Sequence, residues 1–167
     1  MTRFFTRIAA ASLMALVSTA AFAAEPENTL VISLKDRDVT IALRPDLAPK
    51  HVEQIKALTR KGAYDNVVFH RVIDGFMAQT GDVQFGNSAK DFNPAQAGMG
   101  GSDLPDIKAE FSQEPFVRGT VGMARAQSPD SANSQFFITF GDASFLNGQY
   151  TVVGNVESGM ELVDKIK

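Results

Sequence analysis

The sequence predicts a mainly β domain, built from many short strands with one helix near each end. Short apolar alternations recur along the chain, and turn-forming residues separate them at close intervals. Two segments instead repeat their apolar residues at helical spacing, one after the first pair of strands and one near the C-terminus. This combination is typical of a β-barrel whose two mouths are covered by helices.

The domain opens with a predicted hairpin and a helix. Apolar residues alternate with polar neighbours from Leu30 to Leu34 and again from Val39 to Leu43, and the charged run 36–38 separates the two segments. From Pro49 to Arg60 the apolar residues recur at helical spacing, and Gly62 follows as a helix-ending residue. We therefore predict two antiparallel strands followed by an amphipathic helix.

The middle of the chain contains a second pair of predicted strands and then a long loop. Val67 to Ile73 is rich in β-branched and aromatic residues, and Phe76 to Gln79 follows after a turn at Asp74 and Gly75. Residues 83–105 are rich in Gly, Asn, Ser and Asp without an apolar period, which predicts a surface loop that contributes to function. Its glycines lack the preceding strand of a phosphate-binding loop, so we interpret them as turn residues.

Three strands and a helix complete the predicted fold. The strands are expected at 117–124, 135–140 and 150–156, with turn-forming residues between them. Ser158 is followed three residues later by Glu161, a pattern typical of a capping box at the start of a helix. The last helix is therefore expected to begin directly after Ser158.

Composition and motifs exclude several classes of chemistry. The 167 residues contain no cysteine and only two histidines, His51 and His70, whose positions match no metal-binding spacing. No Walker loop, dinucleotide fingerprint or nucleophile elbow occurs, so we expect neither a metal nor another cofactor. A formal net charge of −3 makes nucleic acid and anionic membranes poor partners.

The N-terminal segment 1–23 has the features of a cleavable signal peptide. Two arginines precede an apolar run from Ile8 to Val17, and small alanines occupy the two positions that a signal peptidase reads. The alternative is a transmembrane anchor, but the run is much shorter than the ~20 residues that a bilayer requires. We predict cleavage after Ala23, export to the periplasm, and one mature domain over 24–167 that does not contact the membrane.

Two predicted strands carry side chains that are suited to chemistry. Within 135–140, Phe136 and Phe137 point to opposite faces, so both faces need an apolar environment. Either two packed layers or a ligand pocket on one face explains this pattern. Arg71 lies among β-branched and aromatic residues, where a guanidinium is costly to bury without partners. For Arg71, a structural ion pair with a carboxylate and a functional role both remain open on this evidence.

Several segments resemble the signature motifs of the cyclophilins, a family of peptidyl-prolyl cis/trans isomerases. The resemblance extends from about Asn28 to the C-terminus, and two long motifs in the same order make it specific. The matching segments are FHRVIDGFMAQTGD at 69–82, GMAR at 122–125, SQFFI at 134–138, FLNG at 145–148 and YTVVG at 150–154.

The resemblance implies an eight-stranded antiparallel barrel that is capped by two helices and carries its active groove on the outer face. Cyclophilins usually continue into a final strand that pairs with the first one, whereas this sequence stops at Lys167. We therefore expect the last strand to be missing and the edge from Leu30 to Leu34 to be unpaired.

The resemblance also implies that Arg71 is the catalytic residue. It implies that Gln79 and Gln135 orient Arg71 or the substrate backbone. The backbone of Ala124 and Arg125 is implied to pair with the peptide on the N-terminal side of the proline. The residues implied to surround the proline ring or to line the rim of its pocket are Phe76, Met77, Phe137, Leu146, Phe145 and Tyr150.

On this reading, the protein rotates X-Pro peptide bonds in proline-containing segments during the folding of exported proteins, and it acts as a monomer. Weak ciclosporin binding is implied, because Phe145 stands where many eukaryotic cyclophilins carry Trp. His70 is interpreted as a strand-packing residue and not as a proton carrier. The alternatives are a proline-peptide-binding chaperone module with little turnover and, less favoured, a lipocalin-like barrel that encloses a small apolar ligand.

Overall fold

The computed structural model describes residues 26–35, 37–90 and 92–166. These residues form seven strands and two α-helices, together with short 3-10 turns at 26–28 and 144–146. The strands are β1 (Thr29–Ser33), β2 (Asp38–Leu43), β3 (Arg71–Ile73), β4 (Met77–Thr80), β5 (Thr120–Met123), β6 (Phe136–Thr139) and β7 (Val152–Ser158), and the helices are α1 (Pro49–Arg60) and α2 (Met160–Val163).

All seven strands belong to one antiparallel sheet with the order β1-β2-β7-β5-β6-β4-β3. The predicted first hairpin is confirmed, and Leu30 pairs with Ile41 across it. A groove of about 660 Å³ separates β1 from residues 64–69, which lead towards β3. The sheet therefore curls towards itself as an open half-barrel. An eighth strand is not observed among the described residues, and the predicted loss of a closing strand stays a prediction.

Helix α1 has the bounds that the sequence predicts, and it packs against the sheet through the buried residues His51, Val52, Ile55 and Leu58. Its N-cap residue provides no side-chain hydrogen bond. Instead, Glu110 reaches in from the long loop and accepts hydrogen bonds from the amides of Lys50 and His51 at 3.2 and 3.1 Å. Its carboxylate also lies 2.6 Å from Nδ1 of the His51 ring. Glu110 thus ties the loop to the start of the helix and places negative charge at the positive end of the helix dipole.

The core has two parts, which lie on opposite faces of β6. Phe136 and Ile138 join the main cluster, which also contains residues of α1, β2 and α2. Phe137 belongs to a smaller cluster with Met77 and Leu146. The alternation predicted from the sequence is therefore confirmed, and both faces of this strand are apolar. The smaller cluster forms the floor of the groove that contains the candidate site.

Two local predictions were wrong. Residues 67–70 are not a strand, because their partner β4 ends at Thr80 and the amide of Val68 instead donates to the carbonyl of Gly86. The capping box does not form either: Ser158 remains in β7, and Gly159 occupies the N-cap of α2 with φ of 86°. Only glycine adopts this left-handed conformation without strain, so it sets where the short helix begins.

The predicted signal peptide and its cleavage site after Ala23 lie outside the described residues. Within the described ranges, no helix is long and apolar enough to cross a membrane.

Candidate active site

A groove of about 420 Å³ brings together ten of the eleven site residues that the resemblance implies. The remaining one, Gln135, lines an adjoining cavity. Gln149 also lines the groove, and the sequence motifs gave no signal for it. The residues around the groove are Arg71, Phe76, Met77, Gln79, Ala124, Arg125, Phe137, Phe145, Leu146, Gln149 and Tyr150.

The floor of the groove is apolar and firmly packed. Met77, Phe137 and Leu146 are all buried there, so the side chains behind them hold their positions. The ring of Phe137 stacks on the fully buried Phe116, with centroids 5.8 Å apart and planes inclined by 19°. Apolar floors of this size accommodate a small hydrocarbon ring and exclude water from its neighbourhood.

Aromatic rings also form the rim. Phe145 is 64% exposed and lies with its ring centroid 5.2 Å from that of Phe76. On the other side, Tyr150 meets Phe137 edge-on at 5.9 Å. The groove therefore combines a buried floor with an accessible aromatic border.

Arg71 enters the groove from an edge strand and is held by a chain of amide side chains. β3 pairs with β4 so that Arg71 lies opposite Gln79, and Nη1 of Arg71 donates to Oε1 of Gln79 at 3.3 Å. Gln79 in turn donates to Oε1 of Gln135 at 2.9 Å. The amide of Gln135 donates to the carbonyls of Gly98 and Gly100 at 3.0 and 2.7 Å. The segment 98–101, here called the glycine loop, thereby fixes the amides that orient the guanidinium.

Arg71 has no carboxylate partner within 4.0 Å in the described part of the chain, so the ion pair that the sequence left open is not observed there. The same is true of Arg125, and these two arginines both line the groove. The other described arginines all contact a carboxylate. The groove thus contains two cationic side chains whose charge is not neutralised by a neighbouring acid.

Asp82 anchors the glycine loop from below, and the sequence reasoning missed it. Its side chain is fully buried and accepts four amide hydrogen bonds, at 2.7 to 3.1 Å. A side chain at Gly100 would approach Oδ1 of Asp82 to 2.5 Å, so the predicted turn glycine is also required for close packing. The position of an acid directly before a glycine-rich loop is the signal that could have indicated this role. The donors of the four hydrogen bonds are Gln84, Phe85, Gly98 and Gly100.

His70 lies beneath the same loop. Both ring nitrogens are buried, and a Cβ on Gly98 would come within 2.8 Å of the ring. Burial lowers the pKa of His70 below its ordinary value of 6.5, although the nearby Asp82 opposes this shift. An enclosed ring with a lowered pKa fits the predicted packing role, although His70 lies under a loop and not within a strand. No group of three or more potential metal ligands occurs within the described ranges.

The family model for cyclophilin-type peptidyl-prolyl cis-trans isomerases matches residues 29–167 of the sequence. The chain belongs to this family and is a peptidyl-prolyl cis-trans isomerase. The described cyclophilin domain accordingly is mainly β, with a seven-stranded curled sheet and two helices. The lipocalin-like alternative is thereby excluded.

Relatives and solved structures agree with this assignment. A Brucella suis protein named as a peptidyl-prolyl cis-trans isomerase is 68% identical over 164 residues, covering 96% of this chain and 83% of the relative. Peptidyl-prolyl cis-trans isomerase A of Dickeya dadantii is 36% identical over 168 residues, with coverage of 96% and 83%.

Two crystal structures show the same fold. The cyclophilin AquaCyp293 from Hirschia baltica superposes with a TM-score of 0.70 at 26% identity, covering 84% of this chain and 68% of that one. A cyclophilin-type isomerase of Cryptosporidium parvum, solved in the presence of the dipeptide Ala-Pro, also gives a TM-score of 0.70, at 28% identity and coverage of 82% and 85%.

Proposed function

We propose that Arg71 is the catalytic residue with which this peptidyl-prolyl cis-trans isomerase rotates X-Pro bonds. The observation that carries the proposal is the position of Arg71. Its oriented guanidinium, which has no carboxylate partner among the described residues, lies at the edge of an apolar pocket bordered by aromatic rings. Eleven residues implied by the motifs lie in this groove or in the adjoining cavity. The Cryptosporidium parvum relative was solved in the presence of Ala-Pro, which supports a proline-containing ligand here.

The chemical task is to stabilise a twisted amide. The barrier to rotation is about 18–20 kcal/mol, because the planar C–N bond has partial double-bond character. In the twisted state the proline nitrogen regains its lone pair and becomes a better hydrogen-bond acceptor. A guanidinium that donates to this nitrogen, or to the backbone that turns with it, stabilises the twisted state more than either planar isomer. No covalent intermediate is required.

Arginine suits this role in the observed setting. Its charge persists at any physiological pH, and its donors form a rigid fork. Gln79 occupies one donor of Arg71 and orients the others. The floor formed by Met77, Phe137 and Leu146 would hold the ring while the preceding carbonyl swings, and it keeps competing water away.

A protease-coupled assay on a proline-containing peptide tests the proposed function. Uncatalysed X-Pro exchange takes tens to hundreds of seconds and limits the slow phase of peptide cleavage. Catalysis therefore increases the rate constant of this phase. We expect the purified protein to accelerate this phase in proportion to its concentration. Saturable peptide binding without any acceleration would contradict the proposal.

That second outcome describes the alternative function, a proline-peptide-binding chaperone module with little turnover. Two exposed apolar residues near the groove favour it: Met99 is 77% exposed and Phe145 is 64% exposed. Such side chains bind unfolded polypeptide without any need for chemistry. Suppression of aggregation that persists in an Arg71→Ala variant would identify this activity separately from isomerisation.

The proposed setting is the folding of exported proteins in the periplasm. The support is the signal-like segment 1–23, with its arginines, its short apolar run and its small residues before Ala24. Cell fractionation followed by N-terminal sequencing tests this setting. We expect a periplasmic protein that begins at Ala24, and a full-length protein in the cytoplasmic fraction would contradict it.

The remaining parts of the proposal concern partners. We propose that the mature protein is a monomer that binds neither nucleic acid nor membrane, in keeping with its net acidic charge. Light scattering and vesicle co-sedimentation of the mature protein test these statements.

A further inference from the structure

We propose that the side chain of Arg125 is a positioning residue, which braces the wall of the proline pocket by holding Tyr150. The sequence motifs assign Arg125 only a contribution through its backbone. The proposal rests on the proposed isomerase function in so far as it predicts a change in the binding of proline peptides. Its structural part, the fixing of Tyr150, is independent of catalysis.

The guanidinium of Arg125 connects two separate loops. Nη1 donates to the carbonyls of Ala126 and Gln127 at 3.0 and 3.2 Å. Nη2 donates across the groove wall to the carbonyl of Gln149 at 3.0 Å. One planar group therefore joins the chain that follows β5 to the loop that precedes β7.

The same group supports an aromatic ring. The Cζ atom of Arg125 lies 4.5 Å from the centroid of the Tyr150 ring, within the range of a cation–π interaction. Tyr150 also contacts Phe137 edge-on, and the ring of Phe137 forms part of the pocket floor. Arg125, Tyr150 and Phe137 thus form a continuous series of contacts from the rim to the floor.

The charge of Arg125 strengthens these contacts. No carboxylate lies within 4.0 Å of it in the described chain, and its Nε is buried without a partner. Carbonyl dipoles and the face of one ring are its only polar contacts among the described residues. Only a planar fork can reach three carbonyls while it stacks on a ring, so lysine cannot replace this side chain.

The brace leaves the backbone of Arg125 available. Neither its N–H nor its C=O has a hydrogen-bond partner among the described residues, whereas the preceding amide of Ala124 donates to Gln135 at 2.9 Å. The side chain thus holds rigid a segment whose backbone is open to a peptide. Without the Arg125 contacts, the rim would have to become ordered when a peptide binds, and this cost should weaken peptide binding. The rotation step at Arg71 should be little affected.

The binding test compares Arg125→Lys and Arg125→Gln with the unchanged protein. We expect both to weaken the affinity for a proline tetrapeptide about three- to tenfold, with kcat at saturation nearly unchanged. Arg118→Lys is the matched control, because Arg118 also donates to a backbone carbonyl but lies outside the groove. Circular dichroism and melting temperature establish that each variant is folded. If Arg125→Gln does not fold, Arg125→Lys carries the comparison, since it keeps the apolar stem and the charge.

The structural test uses the two tyrosines, which are the only ones in the sequence. Tyrosine labelled with ¹³C gives two sets of ring signals, which Tyr150→Phe assigns. In Arg125→Lys the Tyr150 signals should shift and broaden, while those of Tyr64, which packs on Phe136, should remain in place. Tyr64 is therefore an internal control for any global change.

A double variant separates positioning from a general loss of stability. In a Tyr150→Leu background, Arg125→Lys should weaken peptide binding by less than twofold, because the ring that it positions is absent. Unmoved Tyr150 signals, wild-type affinity in Arg125→Lys, or fully additive effects in the double variant would each overturn the proposal. Absence of isomerase activity in the unchanged protein would refute the proposed function alone, since ring signals and peptide affinity still report on the brace.

Discussion

Gln79 lies directly across the β3–β4 ladder from Arg71, and its side-chain oxygen accepts a hydrogen bond from the guanidinium at 3.3 Å. The side chains are therefore aligned by the sheet itself. Because the amide of Gln79 also donates to Gln135, its oxygen must point towards Arg71. The orientation of the Arg71 guanidinium is thus set by two residues that have no charge of their own.

Replacing Gln79 should impair turnover more than binding. In Gln79→Leu the guanidinium loses its fixed acceptor. We expect kcat to fall about tenfold or more, which corresponds to the typical free energy of a hydrogen bond to a charged group. The affinity for peptide should change little, because the apolar floor is intact. Steady-state kinetics measures both, with Gln113→Leu as an exposed control. Equal losses in kcat and affinity would contradict a purely orienting role.

Phe137 serves both the fold and the pocket. Its ring contacts Phe116 behind it and Tyr150 beside it. Truncation in Phe137→Ala should lower the free energy of unfolding by about 3–5 kcal/mol and also weaken the binding of proline peptides. Urea denaturation and peptide titration check the two effects. Phe111→Ala, at an aromatic residue that is 43% exposed, provides the comparison. If Phe137→Ala keeps both the stability and the peptide affinity of the unchanged protein, the ring contributes to neither the core nor the pocket.

Glu110 makes the stability of α1 dependent on pH. Burial alone would raise its pKa, but hydrogen bonds from the His51 ring and from the His51 and Lys50 amides lower the pKa below 4.5 overall. A carboxylate with a lowered pKa stabilises the fold above its unfolded-state pKa, and this contribution is lost as the pH falls through the folded-state value. Glu110→Gln should therefore melt below the unchanged protein at pH 7, and the difference should shrink below about pH 4.5.

Thermal melts between pH 3 and pH 7 measure this difference. Glu53→Gln is the matched control, because it removes an exposed carboxylate from the same helix. A Glu110→Gln deficit that is constant with pH would show that the residue acts through packing alone.

The exposed rim residue Phe145 should limit ciclosporin binding. In Phe145→Trp the larger indole adds apolar contact area and one N–H donor at the open side of the groove. We expect stronger inhibition of isomerase activity by ciclosporin in this variant than in the unchanged protein. Equal inhibition of the two proteins would show that another position determines sensitivity.

Elements with a regular pattern were predictable from the sequence. Helix α1 has the predicted bounds because its apolar spacing, its N-terminal Pro49 and its C-terminal Gly62 all agree. The two faces of β6 also follow from simple alternation, since successive side chains of a strand point to opposite sides and here enter two apolar clusters. The groove residues were found because the motifs that carry them are long.

Features that depend on contacts distant in sequence were not predictable. The extended residues before Arg71 look like a strand, but their partners are decided by where β4 ends and by the carbonyl of Gly86. In the sequence Asp82 is typical of a turn, because its amide donors at Gly98 and Gly100 lie 16 and 18 residues further along the chain. The hydrogen bond from Arg125 to the carbonyl of Gln149 likewise joins residues 24 positions apart and cannot be read from the sequence.

The most direct test of the proposed mechanism is the kcat/KM of Arg71→Ala in a protease-coupled isomerase assay. Arg60→Ala is the control, because Arg60 is exposed and contacts Glu27 far from the groove. Removing one preorganised donor to a transition state typically costs about 10²–10³ in rate, so we predict a loss of this order in Arg71→Ala with an unchanged circular dichroism spectrum. A folded Arg71→Ala protein with the kcat/KM of the unchanged enzyme would contradict the assignment of Arg71 as the catalytic residue.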